Sequence, residues 1–410
     1  MIDSGKTETL IELLMLTGQM LFENGAETYR VETSIVNMYH ALGGSGEINA
    51  VALGTLLTLD ICNNGKHYTT VRRIRRRGVN LEKFARVNDV SRKVSEGALS
   101  VEQAYSLLCE LDSAKMKFSN RAIQTFIAAV LISGMFVFMI GGGILEAVIA
   151  IIGCLIVQTC WVFIKRSASL VFVAHILSGF LITLIASAGA FILGHDLELV
   201  IFGAMLPLFP GVAMMIAIRD IVNGDLTSGV ARGVEATLTA VGLALGTSLG
   251  FICVSFIWGL TSDLQMETVM DLPYAIFAML VSFGAGLMLN AQIKTAVAGA
   301  IIGGIAYAVF LLCGGTIVGV FVASLTLMAL SETGARVLKV PSTLFLITGV
   351  YPLVPGAGIY RTATLILQNN VEGASITGNS TVAELLFMVA GIAIVSALFK
   401  VKSYEKRGNV

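Results

Sequence analysis

Hydrophobic and polar positions divide this chain into two unlike parts. Up to about residue 121, apolar residues recur at helical or alternating spacing between charges; from Ile123 onward they run in long blocks that contain few charges. In the first part, Glu8–Phe22 and Glu27–Leu42 read as amphipathic helices on either side of Asn24-Gly25, where glycine suits a helix C-cap. Residues 47–61 and 67–75 alternate as strands do, with Asn63-Asn64-Gly65 as the turn between them. Leu81–Glu96 and Val101–Cys109 read as two further helices, completing an α+β domain over 1–121 that is long enough for a core of its own.

The later blocks are each close to the ~20 apolar residues that cross a bilayer. They fall at 123–141, 144–164, 170–193, 197–222 and 229–259, then at 272–289, 293–313, 315–334, 342–368 and 380–399. The expectation is ten transmembrane helices in two groups of five, 122–262 and 263–410, the second followed by a basic tail. Five is odd, so the second group enters the membrane from the opposite side, and the two groups are expected to be inverted repeats.

Composition agrees with a polytopic membrane protein: 56% of the 410 residues are hydrophobic, 13% are charged, and the mean hydropathy is +0.84. The formal net charge is zero, which gives a nucleic-acid partner no electrostatic support. Charge is nevertheless concentrated before residue 121, including Arg72, Arg73, Arg75, Arg76 and Arg77. The six cysteines show no CxxC spacing and read as small buried hydrophobes. The first residues lack the order of a signal peptide, so the N-terminal domain is expected to stay in the cytoplasm.

Basic residues orient the spans. With the N-terminal domain inside, the cytoplasmic loops and tail hold Lys115, Lys117, Arg121, Lys165, Arg166, Arg219, Arg232, Lys294, Arg336, Lys339, Lys400, Lys402, Lys406 and Arg407. The opposite loops hold Asp196, Glu198, Asp263, Glu267, Asp271 and Glu372 and no lysine or arginine. Both termini are then cytoplasmic, in the inner (plasma) membrane.

Four of the six prolines lie in two copies of one pentapeptide, Pro207-Leu-Phe-Pro210-Gly211 and Pro352-Leu-Val-Pro355-Gly356, inside the fourth and ninth blocks. Proline removes a backbone donor and clashes with the preceding turn, so each copy predicts a broken helix. Residues 189–211 align with 334–356 without a gap, matching Gly189-Ala190 with Gly334-Ala335, Leu193 with Leu338 and Leu199 with Leu344, while the flanking charges reverse sign. Paired interruptions of this kind point to a transport site, with helix N-termini after Gly211 and Gly356 turned toward an anionic group such as a carboxylate.

Around the breaks, Arg361 is a candidate carboxylate clamp or an interfacial arginine snorkelling outward, and Tyr351 and Tyr360 are candidate hydrogen-bonding partners of a substrate. The expected substrate site is thus Pro207, Pro210, Gly211, Tyr351, Pro352, Pro355, Gly356, Tyr360 and Arg361. A gate or proton relay is read from Arg219, Asp220, Asn223, Asp225, Arg232, Glu235 and Glu332, with solvated loop charges as the plainer alternative. Spacing pairs Arg232 with Glu235 and Glu332 with Arg336. Glu146, His175 and Glu384 are further ionisable groups within or near spans, any of which could carry a coupling proton. Gly242, Gly246 and Gly250, and Gly299 with Gly303, offer close helix packing.

The runs Glu23-Asn-Gly-Ala-Glu-Thr-Tyr-Arg-Val-Glu32, Arg77-Gly-Val-Asn-Leu81, Ala217-Ile-Arg-Asp-Ile-Val-Asn-Gly-Asp-Leu226, Ser228-Gly-Val-Ala-Arg232 and Pro352–Gly356 together resemble the threonine/serine exporter family, over nearly the whole chain. The chain also looks like a fusion of two subunits associated in some bacteria with export of C4-dicarboxylates such as succinate. The resemblance implies efflux driven by the proton-motive force, in a lipid bilayer, of a small carboxylate-bearing metabolite. No cofactor and no metal are expected from the residues, and a homo-oligomer is compatible with them. Structural support or gating is then the expected role of the N-terminal domain, with Glu27, Arg30 and Glu32 in its most recognisable motif. A membrane-anchored enzyme with its chemistry in residues 1–120, and a passive channel, are the competing readings, although no phosphate loop or nucleophile elbow accompanies that motif.

Overall fold

The computed structural model describes residues 4–63, 65–74, 78–113, 118–164, 171–194, 197–258 and 271–408. Among the charges expected to set orientation, Lys115, Lys117, Lys165, Arg166, Asp196, Asp263 and Glu267 lie outside the described residues, as do Arg75, Arg76 and Arg77. The N-terminal region comprises α1 (Ser4–Glu23), α2 (Thr28–Ala41), β1 (Glu47–Leu53), β2 (Leu56–Asn63), β3 (Lys66–Arg73), α3 (Leu81–Ser95) and α4 (Val101–Ser113). The alternation at 47–61 is a hairpin rather than one strand. Gly54 adopts φ +46°, a region open to glycine, and turns the chain so that Leu53 faces Leu56 and Val51 faces Thr58. The antiparallel sheet runs in the order β1-β2-β3. Its inner face and the helices close over Leu13, Leu21, Val31, Ile35, Leu57 and Phe84, all without solvent exposure. Gly25, at φ +97°, ends the first helix where a side chain would be strained.

The rest of the chain is helical. α5 (Phe118–Ala129) passes through a π-helical turn at Val130–Gly134 into α6 (Met135–Met139), followed by α7 (Ile144–Ile164), α8 (Val171–Leu193), α9 (Leu197–Met205), α10 (Gly211–Val222) and α11 (Leu226–Trp258). Then come α12 (Ala275–Met288), α13 (Ile293–Leu312), α14 (Ile317–Leu338), α15 (Thr343–Gly349), α16 (Gly356–Leu367) and α17 (Val371–Gly408). Six of these helices are long and apolar enough to cross a membrane, or seven when α9 and α10 count as one span bent by 54°. The blocks expected at 123–141 and 272–289 hold shorter apolar helices, and the ninth block is divided between α15 and α16. The molecule is a mostly helical, polytopic membrane protein. The tenth block starts earlier than its hydropathy indicated, because α17 begins at Val371 and carries Thr377, Ser380 and Thr381 on helical backbone.

Glycine repeats bring backbones together where lipid supplies no hydrophobic drive. A Cβ on Gly246 would run into the Ile176 carbonyl of α8, and one on Gly250 would stand 2.6 Å from Thr183 Cβ. On α13, a Cβ on Gly303 would lie 2.9 Å from Gly349 Cα of α15. α15 is therefore seated tightly, which places its N-terminal Thr343 and the break that follows it.

Candidate functional site

Both proline motifs break their helices, and in the same way. After α9, a 3-10 turn at Leu206–Leu208 leads to Pro210, which stands before α10 at φ −78°, ψ 34°. After α15, Pro355 stands before α16 at φ −76°, ψ 53°. The two breaks touch each other reciprocally: a Cβ on Gly211 would lie 3.2 Å from Val354 Cγ1, and one on Gly356 would lie 2.9 Å from Phe209 Cδ2. Phe209 and Val354 occupy the same place in their pentapeptides, so each motif seats its middle residue on the other motif's glycine. Pro207 and Pro352 are buried in this contact region.

On the side of the breaks facing the N-terminal region lies a buried ion cluster. Glu27, fully buried, stands before the first residue of α2. Its Oε1 is 2.6 Å from Arg219 Nη1 on α10 and accepts a 2.8 Å hydrogen bond from Thr343 Oγ1 on α15, while its Oε2 is 3.1 Å from Arg30 Nε. Arg219 also donates to Thr343 Oγ1 at 3.1 Å. One carboxylate from the N-terminal region thus holds both broken segments. Burial alone would raise the Glu27 carboxyl; Arg219, Arg30 and the Thr343 hydrogen bond overcome it and hold the group at about 2.

The amides of α2 turn the same way. Glu27 makes no side-chain cap, and the free N-terminus is met by acids from the helical region: Thr28 N donates to Asp220 Oδ1 at 3.1 Å, and the Tyr29 amide faces Asp225. Acidic groups belong at a helix N-terminus, where orphan N–H groups and the dipole favour negative charge. Arg232 forms an ion pair with Asp220 at 3.4 Å, donates to the Ala26 carbonyl and lies over the Phe22 ring. Ser228, at the start of α11, accepts from Gly54 N and donates to Ala52 O, tying the β1–β2 turn to the same corner.

The expected gate residues therefore separate. Arg219, Asp220 and Arg232 join the N-terminal region directly, and Asn223 caps α10 by donating to the Arg219 carbonyl at 2.7 Å. Glu235 is on an exposed face. Glu332 accepts from Ser342 Oγ at 2.8 Å, whereas Arg336 lies over the Phe399 ring, so the ion pair that i, i+4 spacing predicts between them does not form: Ser342, beside α15, offers Glu332 a nearer partner. The i, i+3 pairing of Glu27 with Arg30 does form.

On the other side of the breaks is a cavity of about 270 Å³. Glu198 of α9, Arg361 of α16, and Thr377, Ser380, Thr381 and Glu384 of α17 contribute its polar wall and rim, with Phe202 and Pro355 beside them. Arg361 Nε is buried, without a hydrogen-bond partner among the described residues. Tyr360 points away into the core, 1% exposed and edge-on to Phe202 at 5.2 Å; Tyr351 is likewise buried at the break. Of the residues expected to meet a substrate, Pro355 and Arg361 line the cavity, while Pro207, Pro210, Gly211, Tyr351, Pro352, Gly356 and Tyr360 shape the breaks or the core around it. Of the three further ionisable candidates, Glu384 lines the cavity; Glu146 accepts from Gly143 N at the start of α7, and His175 packs edge-on against Trp161.

Sequence reading missed the hydroxyl face of α17, Glu198 as a wall residue, and the bond from Glu27 to Arg219 and Thr343. The first had a signal: Thr377, Ser380, Thr381 and Glu384 follow i, i+3, i+4, i+7 spacing in an apolar helix. The last had a fainter one, since glutamate is a poor residue for the N-cap position it occupies.

Family profiles described as a threonine/serine exporter match residues 12–253 and 274–398. A probable threonine/serine exporter of Mycobacterium tuberculosis is 19% identical over 391 residues, 92% of this chain and 73% of its own length. The threonine/serine exporter of Corynebacterium glutamicum is 24% identical over 327 residues, 74% of this chain and 66% of its own length. No solved structure matches the chain closely enough to compare. With both profiles matched and the fold helical and apolar, the chain belongs to the threonine/serine exporter family.

Proposed function

We propose that the protein is a secondary-active exporter of a small amino acid of the threonine/serine type, moved outward by alternating access and driven by the proton-motive force. The observation that carries this reading is the pairing of a closed ion cluster on one side of two touching helix breaks with a cavity on the other. The cavity chemistry suits a hydroxylated zwitterion. Arg361 offers a guanidinium to the carboxylate, Glu198 and Glu384 offer acceptors to the ammonium, and Thr377 and Ser380 offer hydrogen bonds to the side-chain hydroxyl. A C4-dicarboxylate fits less well, because two negative charges would meet one described arginine and two carboxylates.

In this reading the ten helical blocks form inverted five-helix repeats, 122–262 and 263–410. The reciprocal contact of Phe209 and Val354 with the opposite glycines supports that symmetry, since a two-fold axis makes each contact occur twice. The region 1–121 lies in the cytoplasm with both termini, in the plasma membrane, and Glu27 acts as the bolt of the inner gate. Glu384 is the proposed proton carrier.

Purified protein in proteoliposomes loaded in turn with threonine, serine and succinate tests this, with and without a pH gradient. Threonine and serine efflux stimulated by the gradient, and lost in Arg361→Ala, is expected. Succinate efflux with the amino acids retained would reverse the substrate assignment, and flux indifferent to the gradient would favour a channel.

A further inference from the structure

A second cavity, of about 190 Å³, lies on the N-terminal side of the breaks between α10 and α17. Its walls are mostly apolar, from Met215, Ile218 and Val222 on α10 and from Ile392 and Ala393 on α17; its polar groups are Arg219, Asn223 and Ser396. The two cavities are built to one plan. Each lies between α17 and the half-helix that follows a proline motif, and each receives one arginine from that half-helix, Arg361 from α16 and Arg219 from α10. Along α17 the lining passes from Thr377–Glu384 to Val389–Ala397 and winds about a third of a turn around the helix on the way, at 3.6 residues per turn. Met388, 1% exposed, stands between the two stretches.

Arg219 thus has two faces: it lines this cavity, and it is the guanidinium that Glu27 and Thr343 hold. We propose that the α10–α17 cavity is a second, entry-side binding site for the same small carboxylate, and that the incoming carboxylate displaces Glu27 from Arg219 and so unbolts the gate. The proposal rests on the transport reading above and adds to it a site and a trigger. Glu27 and Thr343 both hold Arg219 through Nη1, so a carboxylate that takes two parallel hydrogen bonds from Nη1 and Nη2 competes with Glu27 for that donor. A ligand that binds the unbolted state better shifts the molecule toward it, and opening becomes conditional on cargo. Asn223 and Ser396 are the neighbouring polar groups available to the ammonium or hydroxyl.

The test needs no transport. In a full-length chain whose six native cysteines are replaced by serine, Ser396→Cys is labelled in nanodiscs with a charged methanethiosulfonate reagent. Threonine is expected to slow labelling at least about fivefold, whereas threoninol, which lacks the carboxylate, is expected to leave it unchanged. Equal protection by both, or by neither, overturns the proposal. Ser396→Trp, which fills the cavity that Arg219 lines, is expected to lower threonine efflux at least about tenfold, and wild-type efflux from Ser396→Trp overturns the proposal too. Absence of efflux from the unsubstituted protein would instead count against the transport reading, so the two failures are told apart.

Discussion

The two sides of the paired breaks are chemical opposites built from similar parts. Facing the N-terminal region, an arginine, a glutamate and a threonine are buried and packed within hydrogen-bond distance of one another. Facing away, an arginine, two glutamates and several hydroxyls surround open volume, and Arg361 keeps a buried nitrogen without a described partner. Buried charges are costly unless paired, so the first side stabilises contact between the N-terminal region and both broken segments. In the proposed transport reading the second side is the one that receives a substrate, so similar residue types serve as a lock on one side, where Glu27 and Arg219 are in direct contact, and as a cavity wall on the other.

That contrast can be broken most severely at Glu27. Glu27→Gln leaves the Arg219 and Arg30 guanidiniums near an uncharged partner in a buried site, and the expected cost is about 3–5 kcal/mol. Thermal unfolding together with hydrogen exchange at the Thr28 amide measures it, and unaltered values in both would remove the cluster from its role as a lock. On the receptive side the expected loss is in function instead. Arg361→Ala should lower efflux about 10- to 100-fold, the scale of one charged hydrogen bond at about 1.5–3 kcal/mol, with little change in melting; a large fall in melting would make Arg361 structural.

Between the two sides, the reciprocal glycines sharpen the comparison. Gly356→Ala meets the Phe209 ring at 2.9 Å and is expected to destabilise by about 1–3 kcal/mol, whereas Gly211→Ala meets Val354 at 3.2 Å and should cost less. Denaturation of the two variants side by side checks the order, and the reverse order would mean that the breaks are not packed as described.

Acid acts on the lock through Glu27. Its folded value, about 2, lies below the ordinary 4.5, so the stabilisation is present above the ordinary value and is lost as pH falls toward 2. Limited proteolysis of the N-terminal region should therefore accelerate as pH falls below about 4.5, and no acceleration down to about pH 3 would remove Glu27 from this role. The smallest effect is expected from Thr343→Val, which removes one bridging hydroxyl from a cluster that keeps both charges, at about 1 kcal/mol. Thr343→Ser should restore it, measured by the same unfolding.

Much of the architecture was legible in the chain itself. Periodicity located the four N-terminal helices within a few residues, and block hydropathy marked the apolar helices, because each depends on local spacing of side chains. The proline pentapeptides announced both breaks, since proline interrupts a helix wherever it falls in its interior. Arg361 was legible as a cation close behind the second break, toward the side whose loops otherwise hold no basic residue. Glu384 was legible only as one of three ionisable residues of equal standing.

What tertiary structure alone decided is which of these local features meet. Glu27 and Arg219 are far apart in sequence, and nothing in the spacing of either says that an N-terminal carboxylate spans α10 and α15; the pairing exists because α2 is docked by its amides on Asp220. Likewise, i, i+4 spacing offered Glu332 to Arg336, and packing gave Glu332 to Ser342 and Arg336 to Phe399 instead. Local pattern determines the elements because backbone hydrogen bonds and side-chain spacing act over a few residues. Partners of buried charges are chosen by where whole elements come to rest, and for this protein that choice gives Arg219 to Glu27 and leaves Arg361 in the wall of a cavity.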